Sequence, residues 1–561
     1  MRTYRQVLAE AKAAHNHPTY AKMSFVMGCG VQGVGAGSSV LDDGGRSYLA
    51  MFDQYGNQSL GYSHPRIIAA ARDQLDSGVL NSTKIMFEEV PIRLTERLAE
   101  LTGQRLPFAY LANGGGETID NALKLARAAT GRPRFISALG CFHGKTFATL
   151  SAADRPEHRA RLGPLMADFH QVPFGDLDAL AGALDGTVAA VLLEPVQAEA
   201  GVVPPPPGYL REVRRLCTEA GALLVLDEMQ TAFGRCGTFF AYQQYDITPD
   251  LVCVGKAFGG GVVALSAVLG TEAVWDVLRD LPSTFGSSLG GNPLACRVGL
   301  ETIAIASDEE FLAAVRVKGE RIAARLSAAA ARYPQVIAEH RGLGMMHGLE
   351  LRDDALAGLV LGRLLEEGVT STYSLYNPRV LRVQPPLVIS DADLERGLTV
   401  LEGVLAEADA ARLTVRPAAQ ALSPLSRTVS LAHPAGEVVR LLHERPRLLD
   451  PFALDTRADA PREAEPEFSG RLGQDEVVWP DRAVLRDDGV ELRADSCWLW
   501  RELARSAVVR PSGGGCTVEV RIAWDTGSGG YEEMLGGRIA LFAADRLAHL
   551  LARLEKELDN A

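Results

Sequence analysis

The sequence predicts an α/β protein in three parts: a large domain around a mostly parallel central sheet, a smaller α+β domain, and an additional α+β domain at the C-terminal end. Three observations carry this. Between about Gly61 and Pro293, short apolar runs alternate with amphipathic helical patterns. Past residue 294, long helical stretches precede strand-like runs. Near Val415–Arg427 the composition turns to small residues and proline, and the rest of the chain differs in character. At 561 residues the chain has length for several domains of about 150 residues each.

Taken in order, residues 1–60 form an N-terminal segment assigned to the smaller domain. In 61–293, "AAVLLEPV", "ALLVLDE" and "LVCVG" read as buried strands, each followed by a polar or glycine-rich turn. "ETIDNALKLARAAT" and "GYLREVRRLCTEAG" lie between such runs as amphipathic helices. That alternation implies parallel strands joined by crossover helices, with ligands beyond the strands' carboxyl ends. Residues 294–412 hold the helical "AAVRVKGERIAARLSAAAARY", then "RGLGMMHGLEL" and "RVLRVQPPLVI" as strands. Residues 413–426 read as a linker. In 427–561, "CTVEVRIAW" alternates, placing Val518, Val520, Ile522 and Trp524 on one face of an antiparallel strand. "RADAPREAEPEFSGRLGQDE" is a polar loop. Leu547, Leu550, Leu551, Leu554 and Leu558 recur at helical spacing, which predicts a terminal helix.

Composition narrows the function. The chain is 47% hydrophobic and 23% charged, as soluble globular proteins are. A net charge of −13 argues against nucleic acid and anionic membrane as partners. No apolar run approaches the ~18 residues of a membrane span. The opening "MRTYRQVLAEAKAAHNHPTY" lacks the apolar core of an export signal. Eight cysteines, with no C-x-x-C pair, read as reduced thiols and not as a disulfide framework or metal site. The expectation is a cytoplasmic protein without a metal.

The chemistry centres on "LVCVGKAFGGGVV". An apolar run ends in Lys256, a costly residue to bury unless paired or neutral. Asp227 ends the preceding apolar run, "ALLVLDE", so a carboxylate and a lysine face one crevice. Pyridoxal phosphate needs such a pair: a lysine to bond its carbonyl, and a carboxylate to keep the ring nitrogen protonated. It also needs a phosphate site. "LANGGGETIDNALKLAR" sets Gly114, Gly115 and Gly116 before a helix beginning near Glu117, where free backbone amides can bind an anion. In "GCFHGKTFATLSA", Phe142 offers a ring to stack on the cofactor. Core packing and helix capping would produce each stretch taken alone.

In their order, these stretches resemble the class III pyridoxal-phosphate aminotransferases of fold type I, over roughly residues 20–410. Besides those quoted, "YGNQSLGYSHP", "LEPVQAEAGVVPPPPGYL", "LDEMQTAFGRCGTFFA", "GSSLGGNPLAC" and "RVQPPL" match. The chain looks most like the putrescine and ornithine branch of the ω-aminotransferases. The resemblance implies that Lys256 attaches the cofactor and shuttles the proton. Asp227 would pair with the pyridine nitrogen and Gln230 would bond the ring's 3-oxygen. Met229 and Phe142 would flank the ring, with His143 beside Phe142, and Gly115 and Gly116 would bind phosphate. Ser288 matches a threonine that reaches the neighbouring subunit's cofactor, which implies a homodimer with shared sites. Arg382 matches an arginine that grips an α-carboxylate, and Glu199 a glutamate that can mask it. Tyr55 matches an aromatic at the substrate pocket's edge. Substrates would be small amines or amino acids with keto acids or aldehydes, in biosynthesis of a specialised metabolite.

The sequence departs from the family's pattern at several points. Ala50, Tyr62, Ala232 and Cys236 replace the usual residues, and Gly114–Gly116 lacks a phosphate-binding hydroxyl. These changes bear on specificity more than on chemistry. The same lysine and aspartate would also serve an aminomutase, racemase or decarboxylase. A non-catalytic binding protein would have no use for Lys256, Asp227 and Gln230 together. The C-terminal domain's order of elements resembles START-like helix-grip domains, which implies a cavity for a lipophilic or carrier-bound ligand; a structural appendage is the alternative.

Overall fold

The computed structural model describes residues 4–16, 31–80, 85–153, 155, 160–281, 284–410, 425–431, 435–444, 467–472, 475–486, 489–494, 502–512 and 515–525. The N-terminal strands β1 (Gln32–Ala36), β2 (Ser39–Asp42) and β3 (Ser47–Ala50) form an antiparallel meander.

The large domain's strands are β4 (Phe108–Ala112), β5 (Arg134–Ala138), β6 (Phe169–Val172), β7 (Val188–Leu193), β8 (Leu223–Asp227), β9 (Leu251–Val254) and β10 (Ser266–Gly270). They lie in the order β4-β10-β9-β8-β7-β5-β6. Neighbours from β6 to β9 are parallel, and β10 alone runs against both of its partners. Every residue of β7 and β9 is buried, because helices cover both faces of the sheet. The continuous apolar runs in the sequence reflect that double cover. The amphipathic helix Tyr209–Ala220 turns Tyr209, Leu210, Val213 and Cys217 inward, a single helical stripe. It stops at Gly221, whose φ of +63° suits glycine.

The smaller domain contains β11 (Ile337–Leu343), β12 (Met346–Leu351), β13 (Val369–Thr370), β14 (Thr372–Ser374) and β15 (Asn377–Val383). Four of these make an antiparallel sheet, β11-β12-β15-β14, while β13 joins β3 in parallel. Residues from both ends of the aminotransferase-like region thus share one core: Leu49 and Met51 pack with Leu349, Leu381 and Leu401. The helix Pro293–Ala306 sends Ala295, Cys296, Ile303 and Ala306 into the large-domain core. This helix begins at the expected boundary of 293/294 and packs on the large domain.

The described C-terminal strands are β16 (Leu425–Leu431), β17 (Glu467–Leu472), β18 (Asp475–Arg486), β19 (Gly489–Ala494), β20 (Glu502–Ser512) and β21 (Gly515–Asp525). They form one antiparallel sheet in the order β16-β21-β20-β19-β18-β17. The alternating "CTVEVRIAW" is β21, paired on both sides, with Val518 buried. The helix Ala435–Glu444 packs on β19 and β20, and its Val438 and Leu442 are buried. Most of the expected linker, Trp498, Trp500 and the terminal leucine helix lie outside the described residues. That terminal helix is the one on which the START-like reading depends. Among the described residues no helix is long and apolar enough to cross a membrane.

Candidate active site

The carboxyl ends of β8 and β9 meet the N-terminus of the helix Gly115–Thr130. Strand pairing sets Asp227 opposite Cys253, so the strand bearing Asp227 and the strand leading to Lys256 end side by side. Gly255 separates Lys256 from β9; a Cβ there would come within 2.7 Å of Met229 Sδ. Lys256 takes φ +50° as it turns into the short 3₁₀ segment Lys256–Gly259. That conformation is uncommon for a side-chain-bearing residue, and here it marks a position fixed by its surroundings. Gly56 lies close over it: its Cβ would be 3.7 Å from Lys256 Cδ.

Burial and the surrounding charges act in opposite directions on the Lys256 amine. Desolvation lowers the Lys256 pKa, against the upward pull of Asp227, Glu199 and Glu194, and Arg382 adds to the lowering. Asp227 accepts from Met229 N at 3.0 Å through Oδ1 and meets His143 Nδ1 at 2.8 Å through Oδ2. Burial pulls the His143 pKa down, but Cys141 and the bond to Asp227 outweigh it, and the net shift is upward. Its Nε2 is buried without a hydrogen-bond partner.

The helix Gly115–Thr130 begins after Gly114 with no side-chain cap, so its first amides are not taken by a capping side chain. Glu117 folds back to accept from Asn113 N at 2.9 Å. A Cβ on Gly116 would meet Thr146 Cγ2 at 2.8 Å, and one on Gly115 would sit 3.3 Å from Met229 Sδ. A side chain at Gly116 would therefore force Thr146 to shift, and one at Gly115 would crowd Met229. The half-buried Phe142 stands edge-on to Tyr376, ring centroids 6.0 Å apart.

A second polar cluster faces the first. Arg382 Nη1 donates to Glu199 Oε1 at 2.7 Å, and Arg382 Nη2 donates to Gln230 Oε1 at 2.6 Å and Gln384 Oε1 at 2.5 Å. Gln230 Nε2 also donates to Glu199 at 3.2 Å. Burial pushes the Glu199 pKa up, but Arg382 and the Leu375 amide reverse this, and the carboxylate stays below its usual range. Tyr55 takes φ +61° and sets its ring 5.6 Å from the Arg382 guanidinium.

The structure thus gathers Lys256, Asp227, His143, Met229, Gly115, Gly116, Gln230, Glu199, Arg382 and Tyr55. Gln230 engages Arg382 and Glu199 here, where a ring oxygen was the expected partner. Ser288 is exposed, beside Ser287, whose hydroxyl Asn113 Nδ2 reaches at 2.9 Å. Four participants escaped the sequence reading. Gln384 links Arg382 to Asp53 at 3.0 Å, and Asp53 pairs with the fully buried Arg235 at 2.5 Å. Glu194 accepts from Phe142 N at 3.0 Å and Ala198 N at 3.1 Å. Glu194 follows β7 directly as Asp227 closes β8, and that parallel placement was a usable signal.

This arrangement can attach an aldehyde cofactor at Lys256, hold a cationic ring nitrogen at Asp227 and cradle a phosphate at the glycines. The sequence matches the family "Aminotransferase class-III" over residues 29–405. The chain belongs to the class III aminotransferases. This aminotransferase is 38% identical over 379 residues to a putrescine aminotransferase of Pectobacterium atrosepticum, covering 66% of this chain and 80% of that one. An ornithine aminotransferase structure from Toxoplasma gondii superposes with a TM-score of 0.66 at 29% identity, covering 73% of this chain and 100% of that one. An N-acetylornithine aminotransferase of Stenotrophomonas maltophilia K279a gives a TM-score of 0.58 at 30% identity, covering 68% and 97%. The fold is that of fold type I enzymes, the cofactor is pyridoxal phosphate and the reaction is transamination. The uncapped helix end, the glycine cradle and the buried carboxylate suit that cofactor's phosphate and ring nitrogen.

Proposed function

We propose that this aminotransferase takes an amino group from an ω-amine or amino acid and gives it to a keto acid or aldehyde, using one pocket for both partners. The observation that carries this reading is the buried Arg382–Glu199 pair at 2.7 Å. Closed, the pair leaves no free cation to repel a diamine. Open, Arg382 presents a planar fork to an α-carboxylate. The names of the relatives, putrescine and ornithine aminotransferases, fit a substrate with a terminal amine.

The residues would divide the work as follows. When bound, pyridoxal phosphate supplies the carbonyl that takes the amine and the conjugated ring that accepts electrons as the substrate's C–H bond breaks. Gly115 and Gly116 would hold its phosphate, Asp227 its ring nitrogen, and Phe142 and Met229 its two faces. Lys256 Nζ, whose pKa desolvation lowers, would take the proton from the substrate carbon and return it one carbon away. His143 would hold Asp227 in register through Nδ1.

The active form would be a homodimer. Ile85, Met86 and Phe87 are 92%, 73% and 100% exposed, an apolar run that a second copy would cover, and Ser288 would reach the partner's cofactor. The buried free cysteines fit a reducing, cytoplasmic setting. The C-terminal domain would add a site for a lipophilic or carrier-bound group in a biosynthetic pathway.

Single-turnover spectroscopy tests the reading. Putrescine or ornithine should bleach the cofactor's visible band with stoichiometric carbonyl product, and a 2-oxo acid should restore it. Racemisation or CO₂ release without carbonyl product would replace transamination with another reaction. A donor screen comparing the full chain with a truncation after about residue 412 would assign any difference to the added domain.

A further inference from the structure

Glu194 is a buried carboxylate to which the proposed chemistry gives no task. Its oxygens are divided between two segments of the active site. Oε1 accepts from Phe142 N at 3.0 Å, in the segment that also carries His143. Oε2 accepts from Ala198 N at 3.1 Å, immediately before Glu199. Other contacts close the circuit. Glu199 O accepts from Tyr376 N at 3.0 Å, Glu199 Oε2 accepts from Leu375 N at 2.9 Å, and the Tyr376 ring meets Phe142. Gln197 Nε2 donates to Leu139 O at 3.0 Å, so the two segments also run side by side ahead of the clamp.

From this geometry we infer that Glu194 is a positioning residue that fastens the segment bearing Glu199 to the segment bearing Phe142, so that the mask on Arg382 and the wall of the cofactor site move as one unit. The inference rests on the reading of Glu199 as that mask. A substrate that shifts Phe142 then shifts Glu199 with it, which ties the choice of substrate to the state of the cofactor site. Leaving either amide without its acceptor in a buried site carries a desolvation cost, so the clamp has a physical reason to stay closed. Glutamine in place of glutamate can accept from only one of the two amides, because its NH₂ group donates.

The test is a double-mutant cycle read on selectivity: the ratio of kcat/KM for a carboxylate-free diamine to that for an α-amino acid. Glu199→Gln should lower the ratio, since Arg382 loses its masking charge. Glu194→Gln should lower it by about tenfold, a size typical of coupling between groups in contact. In the Glu199→Gln background, Glu194→Gln should add no further fall. Glu194→Asp, a methylene too short to span both amides, provides the same readout if the glutamine variant does not accumulate as folded protein. A Glu194 variant that melts earlier but keeps the wild-type ratio overturns the inference, and so does an equal fall in both backgrounds. An unchanged ratio in Glu199→Gln alone overturns the masking reading itself, and the inference with it.

Discussion

His143 Nδ1 lies 2.8 Å from Asp227 Oδ2, and both side chains are closed off from solvent. The pair holds a carboxylate oxygen at the end of β8, where the proposed function seats the cofactor's ring nitrogen. Asp227→Asn removes that charge with little change of shape. We expect kcat to fall roughly 10²–10³-fold, the usual loss when a preorganised electrostatic contact is removed. The cofactor should still attach, and the visible band should persist. Lys256→Ala, by contrast, should abolish both turnover and the band. Stopped-flow absorbance of the half-reaction separates the two.

Arg382 is held by Glu199, Gln230 and Gln384 together. Arg382→Lys keeps the charge but loses the fork that meets a carboxylate with two parallel bonds. The KM for a 2-oxo acid should rise about 10- to 100-fold, equivalent to roughly 1.4–2.7 kcal/mol. The KM for a carboxylate-free diamine should move much less. Steady-state kinetics with the two substrate types measures the split.

Gly116 has no room for a methyl group beside Thr146 Cγ2. Gly116→Ala should push the helix N-terminus off the phosphate and weaken cofactor retention. Dialysis should strip the cofactor from this variant at least about tenfold faster than from wild type, one factor of ten per 1.4 kcal/mol. Pairing it with Thr146→Ser, which removes the obstructing methyl, should restore retention.

His347 gives the fold a pH limit away from the site. Its Nε2 meets Gly344 O at 2.7 Å and its Nδ1 meets His340 Nε2 at 3.1 Å. Burial, then the neighbouring His340, push its pKa down from 6.5 to about 4. The unfolded chain takes up this proton as pH falls through 6.5, and the folded chain resists until about 4. Stability from this residue is therefore full above 6.5 and declines by roughly 3 kcal/mol on the way to 4. His347→Gln should flatten that part of the stability–pH curve in urea titrations.

The sheet and the polar ends of its strands were legible because parallel strands buried on both faces leave continuous apolar runs, and Asp227 and Lys256 interrupt them. Glu228, adjacent to Asp227 in sequence, points elsewhere: it accepts from Ala241 and Tyr242 amides at 2.7 Å. Which of two neighbouring acids faces the site depends on strand alternation, and a sequence does not show the face that covers the ligand. The Arg235–Asp53 pair joins residues 182 apart, and nothing local in either segment announces the other. Gln230 illustrates a subtler limit. Its position was readable, but its partners Glu199 and Arg382 come from separate elements that meet only in the folded state.

The parallel pairing of β3 with β13 has a consequence for how the chain is made. Leu49 O accepts from Thr370 Oγ1, 321 residues later. At translation rates of roughly 5–20 residues per second, the first strands wait on the order of tens of seconds for their partner to leave the ribosome. During that interval the large sheet can assemble as a unit, while Leu49 and Met51 stay uncovered. The pocket around Asp53 and Arg382, built from residues far apart in the chain, would be among the last parts to close.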